Sequence, residues 1–437
     1  MNISIVGTGY VGLVTGSCFA DIGVNVTCVD TDSRKINLLL YGGLPIYEQG
    51  LEATVKRNVA EGRLHFTADL DSVFDNADFV FCCVDTPPGP DGSTDLEQVR
   101  NTAEHFARAL DHYTVFVIKS TVPVGTCDMI RDLIAGILAE RGVKEEFDVV
   151  SNPDFLTEGN AIKDFMRPDR VVIGTYNERA RQAMDRLYQP LRYNNFPTIY
   201  TDNVTAEMIK YAATSMLATR VSFMNEIGNL CEVVGADVNT VRLGVGTDSR
   251  IGPKYIYPGC GYGGTLFPKD INDLINIADR HNYSMDVLRA VEKVNNRQKR
   301  VLFDKLVRHY GADDLKNKTV AIWGLSFKPE TDDISGSPAI NTLDLLIEAG
   351  CHVRVYDPVA MNACKYRWSE IYCALDIYDA VNGADALLLI TEWRQFRVPA
   401  WDRVLAAMRT PVVIDGRNIY NPAELAEKGF TYYCIGK

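Results

Sequence analysis

Short apolar runs alternate with helical patterns over the first part of the chain. Residues 3–6 form the first run, and the helical pattern behind it lasts to Gly23. A second run ends at Asp30, and ADFVFCCV, TVFVIKST, FDVVSNP and RVVIGT follow, mostly with helical stretches between them. Because buried parallel strands read as short continuous apolar runs, this alternation predicts a doubly wound α/β domain over residues 1–200.

The pattern changes over residues 203–235, where apolar positions recur at helical spacing. This stretch has no proline, and its two glycines come late. It predicts one long helix, capped by Asn203 or Thr205, that is suited to joining domains and to contacting a second subunit. Further helical spacing over residues 284–311 extends a central helical section, which we place at residues 201–314.

Strand–helix alternation returns at Lys318. TVAIWGLSF, CHVRVYDP, ADALLLIT and TPVVIDGR have the composition of buried parallel strands. They predict a second, smaller α/β domain over residues 315–437. The predicted fold class is therefore α/β, with two doubly wound domains joined by a long central helix region.

The composition narrows the choice of partners. The 437 residues are too many for one core, and 46% of them are apolar, as in ordinary globular proteins. The net charge of −12, without a run of Lys or Arg, argues against binding to nucleic acid or to a membrane surface. No apolar run approaches the roughly 18 residues of a membrane-spanning helix.

The cysteine and histidine positions add two expectations. The eleven cysteines are scattered and form no C-x-x-C pair, so most are expected to be buried thiols in a reducing compartment. We expect no leader segment before the first strand and a cytoplasmic location. The six histidines fall outside every motif described below, so no metal site is expected.

A glycine-rich turn directly follows the first strand. Gly7, Gly9 and Gly12 form a G-x-G-x-x-G motif that opens a helix, and Asp30 comes 18 residues after Gly12. In this Rossmann-like context, the glycines allow a tight turn, the approach of a pyrophosphate and close helix packing. Asp30 can accept a hydrogen bond from a ribose 2′-OH and would repel a 2′-phosphate. The predicted cofactor is therefore NAD rather than NADP.

Further motifs cover the whole chain in order. They are GTGYVGL, KSTVPVGT, SNPDFLTEGNAIKDFMRPDRVVIG, AEMIKYAA, DSRIGPKY, GCGYGGTLFPKD, WGLSFKPETDD, VYDP and DGRNIY. With them the chain resembles the UDP-glucose/GDP-mannose dehydrogenase family. The resemblance implies a Rossmann NAD domain, a central helical dimerisation domain with the active-site loop, and a Rossmann-like UDP-sugar domain, working as a homodimer.

The resemblance also implies an activity. Members of the family oxidise a sugar C6 alcohol to a carboxylate with two NAD, through an aldehyde that a Cys thiolate traps as a thiohemiacetal. A second oxidation gives a thioester, which water hydrolyses. The implied reaction converts UDP-glucose to UDP-glucuronate for polysaccharide biosynthesis. UDP-N-acetylhexosamines and GDP-mannose, which relatives use, stay open as substrates.

Family positions carry over onto this chain one residue at a time. Lys210 maps to the lysine that stabilises the oxyanion, Glu158 to a water activator or base, and Thr121 to a residue that positions the water. Asp270 maps to a carboxylate near the reacting group. The implied NAD contacts are Gly7, Gly9, Tyr10, Val11, Gly12, Asp30, Lys35, Thr86, Thr121 and Glu158. The implied nucleotide-sugar contacts are Phe155, Leu156, Lys210, Arg250, Lys254, Tyr255, Gly263, Phe267, Phe327, Lys328 and Arg417.

Several catalytic positions depart from the family pattern. Leu266 takes the place of the nucleophilic Cys in the family's GGSCFPKD, and Cys260, six residues earlier, is interpreted as a loop-packing thiol. Thr214 stands where the family has Asn, Asp154 where it has Glu, and Ser335 where it has Arg. These departures map near the nicotinamide and C6, whereas the UDP-side motifs are kept.

Three functions therefore stay open. The first is a working 6-dehydrogenase whose second oxidation proceeds through an aldehyde hydrate, assisted by Glu158 and Lys210. The second is an enzyme that releases the 6-aldehyde or uses NAD transiently in another sugar rearrangement. The third is a catalytically silent nucleotide-sugar binder or a partner of an active homologue. Counting the NADH formed per sugar separates all three.

Overall fold

The computed structural model describes residues 1–89, 92–194, 196–365 and 367–437, which form two compact units. Unit 1 comprises Met1–Ala213 and Asn272–Asn282, and unit 2 comprises Thr214–Ile271 and Tyr283–Lys437. Each unit contains one large sheet.

Unit 1 contains an eight-stranded sheet. Its strands are β1 (Asn2–Val6), β2 (Asn25–Val29), β3 (Leu64–Thr67), β4 (Phe79–Cys82), β5 (Thr114–Ile118), β6 (Phe147–Ser151), β7 (Val171–Gly174) and β8 (Thr198–Thr201). Its helices are α1 (Tyr10–Asp21), α2 (Ser33–Leu40), α3 (Leu51–Ala60), α4 (Glu97–Ala109), α5 (Thr126–Arg141), α6 (Ala161–Met166) and α7 (Glu178–Tyr188). The strand order is β3-β2-β1-β4-β5-β6-β7-β8. The first six strands are parallel, in the order of a dinucleotide-binding fold.

The RVVIGT strand, β7, runs antiparallel to β6 and pairs with it at Ser151 and Gly174. Strand β8 is parallel to β7. Gly174 is required there because a Cβ would lie 2.6 Å from the Cβ of Ala206 and 2.8 Å from the Asp202 carbonyl oxygen. This end of the sheet therefore packs closely against residues 202–206.

Successive residues of the central strands enter two different cores. Ile5 and Phe81 belong to one buried apolar cluster, whereas Val6 and Cys82 belong to another. Since neighbouring residues of a strand point to opposite faces, both faces of the sheet are covered. Each fully buried large apolar side chain contributes about 1.5–3 kcal/mol to the free energy of folding. Because residues on both faces of the sheet are buried, the strands appear in the sequence as continuous apolar runs.

One helix of 32 residues, α8 (Asn203–Val234), confirms the predicted long helix. The predicted cap was wrong, because Asp202 accepts the hydrogen bond from the Thr205 backbone N–H at 2.7 Å. The Asn203 amide instead accepts from the Ser151 N–H at 3.1 Å and donates to a β6 carbonyl at 3.2 Å. It fastens the start of the helix to the sheet. The central helices that follow are α9 (Val238–Gly246), α10 (Leu266–Arg280), α11 (Asp286–Gln298) and α12 (Val301–Tyr310).

Unit 2 contains a six-stranded parallel sheet. Its strands are β9 (Thr319–Trp323), β10 (His352–Tyr356), β11 (Tyr372–Cys373), β12 (Ala386–Leu389), β13 (Val412–Asp415) and β14 (Thr431–Tyr433). Its remaining helices are α13 (Pro338–Glu348), α14 (Met361–Lys365), α15 (Ile377–Val381), α16 (Trp401–Ala407) and α17 (Pro422–Glu427). The order β11-β10-β9-β12-β13-β14 again follows the dinucleotide-binding pattern. Within the described ranges, no helix combines the length and apolar character needed to cross a bilayer.

Candidate active site

The glycine-rich turn of unit 1 lies between β1 and α1. Gly7 has a φ of 101°, which favours glycine. A Cβ on Gly7 would lie 2.6 Å from the Cys83 carbonyl oxygen, and a Cβ on Gly12 would lie 1.9 Å from the Gly7 carbonyl oxygen. Both positions therefore require glycine, for the tight turn and for the close packing of α1 on it.

The start of α1 suits an anionic group. Gly9 precedes the helix, and no side chain of the described residues caps it. The backbone N–H groups of the first turn, which includes Tyr10 and Val11, have no partner within the helix. These donors and the helix dipole favour a pyrophosphate at this end.

A cleft of about 240 Å³ opens beside the turn, lined by Gly9, Asp30 and Lys35 among others. Asp30 accepts hydrogen bonds from the Thr8 N–H and hydroxyl, both at 2.8 Å, and from the Asp32 N–H at 2.9 Å. A carboxylate can accept about four such bonds. The three found among the described residues therefore leave room for a ribose hydroxyl, which fits NAD.

Asp30 is a carboxylate in this cleft at neutral pH. Burial alone would raise its pKa, but the donors from Asp32 and Thr8 and the nearby Lys35 ammonium hold that pKa below its ordinary value. The Lys35 Nζ lies 3.6 Å from Asp30 Oδ2. The negative charge is thus fixed where a 2′-phosphate would have to lie, which favours NAD over NADP.

Two predicted threonines lie at neighbouring strand ends. The Thr86 hydroxyl, after β4, donates to the Thr121 carbonyl oxygen, after β5, at 2.9 Å. Ligands of parallel sheets bind outside the carboxyl ends of the strands. Both residues thus lie on the edge of the sheet that carries the glycine turn.

Lys210 and Asp154 form a buried ion pair. The Lys210 Nζ donates to the Asp154 carbonyl oxygen at 2.8 Å and lies 3.3 Å from its Oδ2. The two side chains are only 6% and 2% exposed. Asp154 Oδ1 also accepts from the Leu156 N–H at 3.2 Å. The pair therefore fixes a positive charge against the turn that follows β6.

Two cations lie near the Phe155 ring. The Arg170 guanidinium is 3.6 Å from the ring centroid, and the Lys210 Nζ is 5.7 Å from it. Such contacts are stabilising when they are partly shielded from water. Sequence reasoning identified Phe155 but not Arg170, which was interpreted only as the start of the strand-like run RVVIGT.

A second buried lysine was also missed. Lys119 donates to Asn152 Oδ1 at 3.3 Å, and the Tyr188 hydroxyl donates to the same oxygen at 2.6 Å. The Asn152 amide donates to the Val172 carbonyl at 2.8 Å. Burial lowers the pKa of Lys119. These contacts hold the chain just before Asp154. In the sequence, the signal for Lys119 was a lysine inside the apolar run TVFVIKST.

The turn that carries Glu158 is fastened to the start of α1. The Gly159 N–H is shared between the Tyr10 hydroxyl oxygen at 2.7 Å and Glu48 Oε2 at 2.6 Å. Glu158 itself is half-buried. Glu48 was not anticipated, because it lies in an irregular segment between α2 and α3.

Glu207 fastens α8 to the chain after Thr121. Its carboxylate accepts from the Gly125 N–H at 2.6 Å and from the Cys127 N–H at 2.8 Å. Burial raises the pKa of Glu207. Because Lys210 lies three residues later on α8, these hydrogen bonds fix the helical turn on which Lys210 lies.

In unit 2, amide side chains hold the loop over residues 259–265. Asn225 accepts from the Gly259 N–H at 2.8 Å, and Gln298 donates to the Gly259 carbonyl at 2.6 Å. Asn295 accepts from the Tyr262 N–H at 2.9 Å. Sequence reasoning did not identify these amides. The signal that could have identified them is that each is an amide residue at an apolar position of a helical pattern.

The double glycine lets this loop approach residues 327–337 of the same unit. A Cβ on Gly263 would lie 2.5 Å from the Gly336 carbonyl oxygen, and one on Gly264 would lie 3.0 Å from the Phe327 ring. The Gly264 N–H donates to the Ser335 carbonyl oxygen at 2.7 Å. Ser335 therefore supports the loop through its backbone.

Helix α10 begins at Leu266, inside the GCGYGGTLFPKD segment. The sequence favoured a loop there, but Pro268 falls in the first turn, where a missing N–H costs nothing. Leu266 is half-buried, and Asp270 and Thr214 are buried. The aliphatic side chain of Leu266 offers no nucleophilic atom.

The predicted sugar-side residues before this helix differ in exposure. Arg250 is exposed and pairs with Asp248 at 2.7 Å, and Lys254 is also exposed. Tyr255 has a φ of 60°, a strained conformation for a residue other than glycine. Its ring centroid lies 6.4 Å from that of Phe267. Backbone strain of this kind is concentrated at ligand-binding loops.

The predicted residues of the second sheet are more enclosed. The Arg417 side chain is 17% exposed, and its Nε lies 3.2 Å from Glu392 Oε2. The Lys328 Nζ lies 5.7 Å from the Phe327 ring centroid. Cys260 is buried, and burial raises the pKa of its thiol, which agrees with a packing role.

Metal-binding clusters and disulfides are absent from the described residues. No group of three or more His, Cys, Asp or Glu side chains there could hold a metal ion. Of the eleven cysteines, the ten whose side chains are described are free, and eight of these are buried, as predicted.

Models of known protein families match three segments of the chain. The UDP-glucose/GDP-mannose dehydrogenase family matches through its NAD binding domain at residues 1–192. Its central domain matches residues 204–297, and its UDP binding domain matches residues 321–422. The predicted cofactor, NAD, is thereby confirmed.

Similar proteins match over the full length. A UDP-glucose 6-dehydrogenase of Pseudomonas aeruginosa is 45% identical, over 100% of this chain and 98% of its own. One of Rhizobium meliloti is also 45% identical, over 100% of both chains. The solved structure of a UDP-glucose dehydrogenase from Pyrobaculum islandicum superimposes with a TM-score of 0.91 at 34% identity, covering 100% of this chain and 97% of that one. The predicted fold and the oxidoreductase class are confirmed, and the chain belongs to the UDP-glucose/GDP-mannose dehydrogenase family.

Proposed function

We propose that the protein oxidises the C6 alcohol of UDP-glucose and that UDP-glucuronate is the product of the complete reaction. The observation that carries this proposal is the 45% identity to a UDP-glucose 6-dehydrogenase over the whole chain. NAD⁺, when bound, supplies the two-electron acceptor for each oxidation. The cleft beside the glycine turn, with the Asp30 carboxylate in it, supports this cofactor.

Lys210 is the proposed stabiliser of negative charge on the C6 oxygen. Asp154 holds its ammonium group in place inside the protein. A fixed charge in a site shielded from water stabilises a developing oxyanion without having to reorganise. Glu158 is the proposed base, and Thr121 is proposed to orient the water.

Leu266 determines how the second oxidation proceeds. Because no thiolate can trap the aldehyde at this position, we propose that water adds to the aldehyde, that Glu158 accepts a proton from the water and that the former carbonyl oxygen takes up a proton. The resulting hydrate again carries hydrogen and hydroxyl on C6. Loss of that hydrogen as hydride, with release of a hydroxyl proton, gives the carboxylic acid. Where hydration is slower than release, the product is the 6-aldehyde.

The remaining assignments follow the domain order. Residues 1–200 are proposed to bind NAD, residues 201–314 to form the dimerisation domain with the active-site segment, and residues 315–437 to bind the UDP-sugar. The proposed sugar-side residues are Phe155, Leu156, Arg250, Lys254, Tyr255, Gly263, Phe267, Phe327, Lys328 and Arg417. Thr214 and Asp270 are proposed to line the reacting end of the sugar. Buried free thiols support a cytoplasmic location.

A homodimer is proposed through α8. Met216, Phe223 and Leu230 are each more than half exposed, at 61%, 56% and 55%. They repeat every seven residues, which places them on one stripe of the helix. Such a stripe suits a second copy of the same helix. Phe223→Glu should shift the protein towards monomer in sedimentation velocity.

The activity is tested by incubating the protein with UDP-glucose and NAD⁺ and counting NADH per sugar. Two NADH with UDP-glucuronate support the complete reaction. One NADH with an aldehyde that hydroxylamine traps shows that the second oxidation is lost, which Leu266 favours. UDP-glucose binding without any NADH would refute the oxidation and identify a silent binder.

A further inference from the structure

Glu48 is a buried carboxylate that none of the roles above uses. Its side chain lies in the segment between α2 and α3, and the residue is only 6% exposed. Oε1 accepts from the Ala161 N–H at 2.9 Å, and Oε2 accepts from the Gly159 N–H at 2.6 Å. Glu48 therefore binds the backbone on both sides of Asn160, directly after Glu158.

Tyr10 joins this carboxylate to the dinucleotide turn. Its hydroxyl donates to Glu48 Oε2 and accepts from the Gly159 N–H at 2.7 Å. Tyr10 is also the first residue of α1, so its backbone belongs to the turn that a pyrophosphate would contact. One residue thus contacts the cofactor end with its backbone and the Glu158 turn with its side chain.

We propose that Tyr10 and Glu48 form a clamp that makes the position of Glu158 depend on whether the dinucleotide cleft is occupied. The clamp consists of the four polar groups named above: the Tyr10 hydroxyl, the Glu48 carboxylate and the N–H groups of Gly159 and Ala161. Binding of an anion to the first turn of α1 restricts Tyr10. Tyr10 and Glu48 then restrict the turn on either side of Glu158. Both are positioning residues, and the inference rests on the proposed role of Glu158.

The chemistry requires a carboxylate at position 48. Its two oxygens accept from two backbone N–H groups and one hydroxyl, and all three donors are directed at them. Glu48→Gln has nearly the same shape, but its NH₂ group cannot accept and must face one of those donors. Since a buried donor without an acceptor is costly, the Gln variant should loosen one side of the turn. Tyr10→Phe removes the hydroxyl and keeps the ring.

Hydrogen exchange of the full-length protein tests the clamp without relying on turnover. NAD⁺ should slow exchange in the peptide that covers residues 157–161 of the wild type. The Tyr10→Phe and Glu48→Gln variants should bind NAD⁺ yet lose that slowing. The matched control is Glu52→Gln, which removes only an exposed carboxylate that pairs with Lys56 on α3. This variant should keep the slowing of exchange. Slowing that persists in both clamp variants would overturn the inference, and Tyr10→Phe alone decides if Glu48→Gln fails to fold.

Kinetics separate the clamp from the proposed base. Misplacing a reacting group by about 1 Å can cost up to about 100-fold in rate, so Glu48→Gln should lower kcat within that limit and leave the KM for UDP-glucose unchanged. In a Glu158→Gln background it should cause no further loss, because both changes act through one group. Equal losses in both backgrounds overturn the clamp alone. An unchanged kcat in Glu158→Gln overturns the role of Glu158 first, and the clamp with it.

Discussion

The buried pair of Lys210 and Asp154 should be strongly coupled. Asp154→Asn keeps the size of the side chain and removes its charge, which leaves the Lys210 ammonium inside the protein. That side chain is only 6% exposed and cannot recover the lost interaction by turning to water. The Asp154 carbonyl oxygen, at 2.8 Å from Nζ, remains as an acceptor in the variant.

The size of the effect follows from this geometry. Unit charges 3.3 Å apart attract by about 5 kcal/mol at an effective dielectric constant of about 20. Removing one partner of a buried pair typically costs about 3–5 kcal/mol. Because the carbonyl acceptor stays, we expect Asp154→Asn to lower the free energy of unfolding by about 3 kcal/mol, the lower end of this range. Lys210→Met in the same chain should recover much of this stability, because the buried ammonium is then removed together with the carboxylate.

Urea unfolding of the wild type, the two single variants and the double variant measures the coupling free energy. The exposed pair of Lys56 and Glu52 provides the control cycle, whose coupling should not differ measurably from zero. A coupling below about 1 kcal/mol for Asp154 and Lys210 would refute the reasoning. It would mean that water or another group takes over the ammonium when the carboxylate is gone.

Three further predictions concern the glycine turn, the cofactor carboxylate and the nucleophile position. Gly12→Ala should abolish NAD⁺ binding in calorimetry, because its Cβ would lie 1.9 Å from a carbonyl oxygen, whereas Gly136→Ala, in open space on α5, should be neutral or stabilising. The pKa of Asp30 is lowered from 3.8. The stability that the Asp30 carboxylate gives to the folded protein is therefore complete above pH 3.8 and is lost as the pH falls through the lowered pKa. The melting temperatures of Asp30→Asn and of the wild type should therefore converge in acid. Leu266→Cys should raise the yield of UDP-glucuronate relative to aldehyde by about tenfold or more, Leu266→Ala should not, and an unchanged ratio would refute the nucleophile assignment.

The apolar runs predicted the strands of both sheets because parallel strands are buried on two faces. Ile5 and Val6 enter opposite cores, so their apolar character is required by both. The direction of β7 was not predictable in the same way. A run such as RVVIGT shows burial, but strand direction depends on where the chain returns to the sheet, and here β7 meets β6 antiparallel at a single pair.

The sequence predicted the backbone conformation correctly where the fold requires a glycine. Gly12 is needed for its contact with Gly7 in the same turn, and Gly7 is needed for its positive φ and for the close approach of Cys83. The fixed spacing of the G-x-G-x-x-G motif marks both positions in the sequence. The start of α10 was not recognised, because the glycines before Leu266 and the nearby Pro268 are typical of loops. The structure shows that the proline belongs to the first helical turn.

The contacts that position the site were hidden for a different reason. Glu48 accepts from Gly159, 111 residues further along the chain, and Glu207 accepts from Cys127, 80 residues before it. A buried acid that caps a distant helix or turn has no periodic neighbours that could mark it. Lys119 and Asn295 carried a weak signal, since each is a polar residue in an otherwise apolar pattern.

The two sheets use the same carboxylate position for different purposes. Asp30 directly follows β2 in unit 1, and Asp357 directly follows β10, the corresponding strand of unit 2. Asp357 accepts from the backbone after β9, as Asp30 does after β1, but it also accepts from the Ser326 hydroxyl and from Trp393 Nε1 at 3.1 Å.

Its other oxygen accepts from two more N–H groups, those of Val359 and Ala360. The bonds to Asp357 already exceed the roughly four that a carboxylate accepts well, and the residue is 1% exposed. Asp30 accepts three and faces a cleft. A ribose hydroxyl can therefore be recognised at the carboxylate of unit 1 and not at that of unit 2. The same strand order thus leaves a carboxylate open to a dinucleotide in unit 1, whereas Trp393 is one of the donors that occupy the Asp357 carboxylate in unit 2.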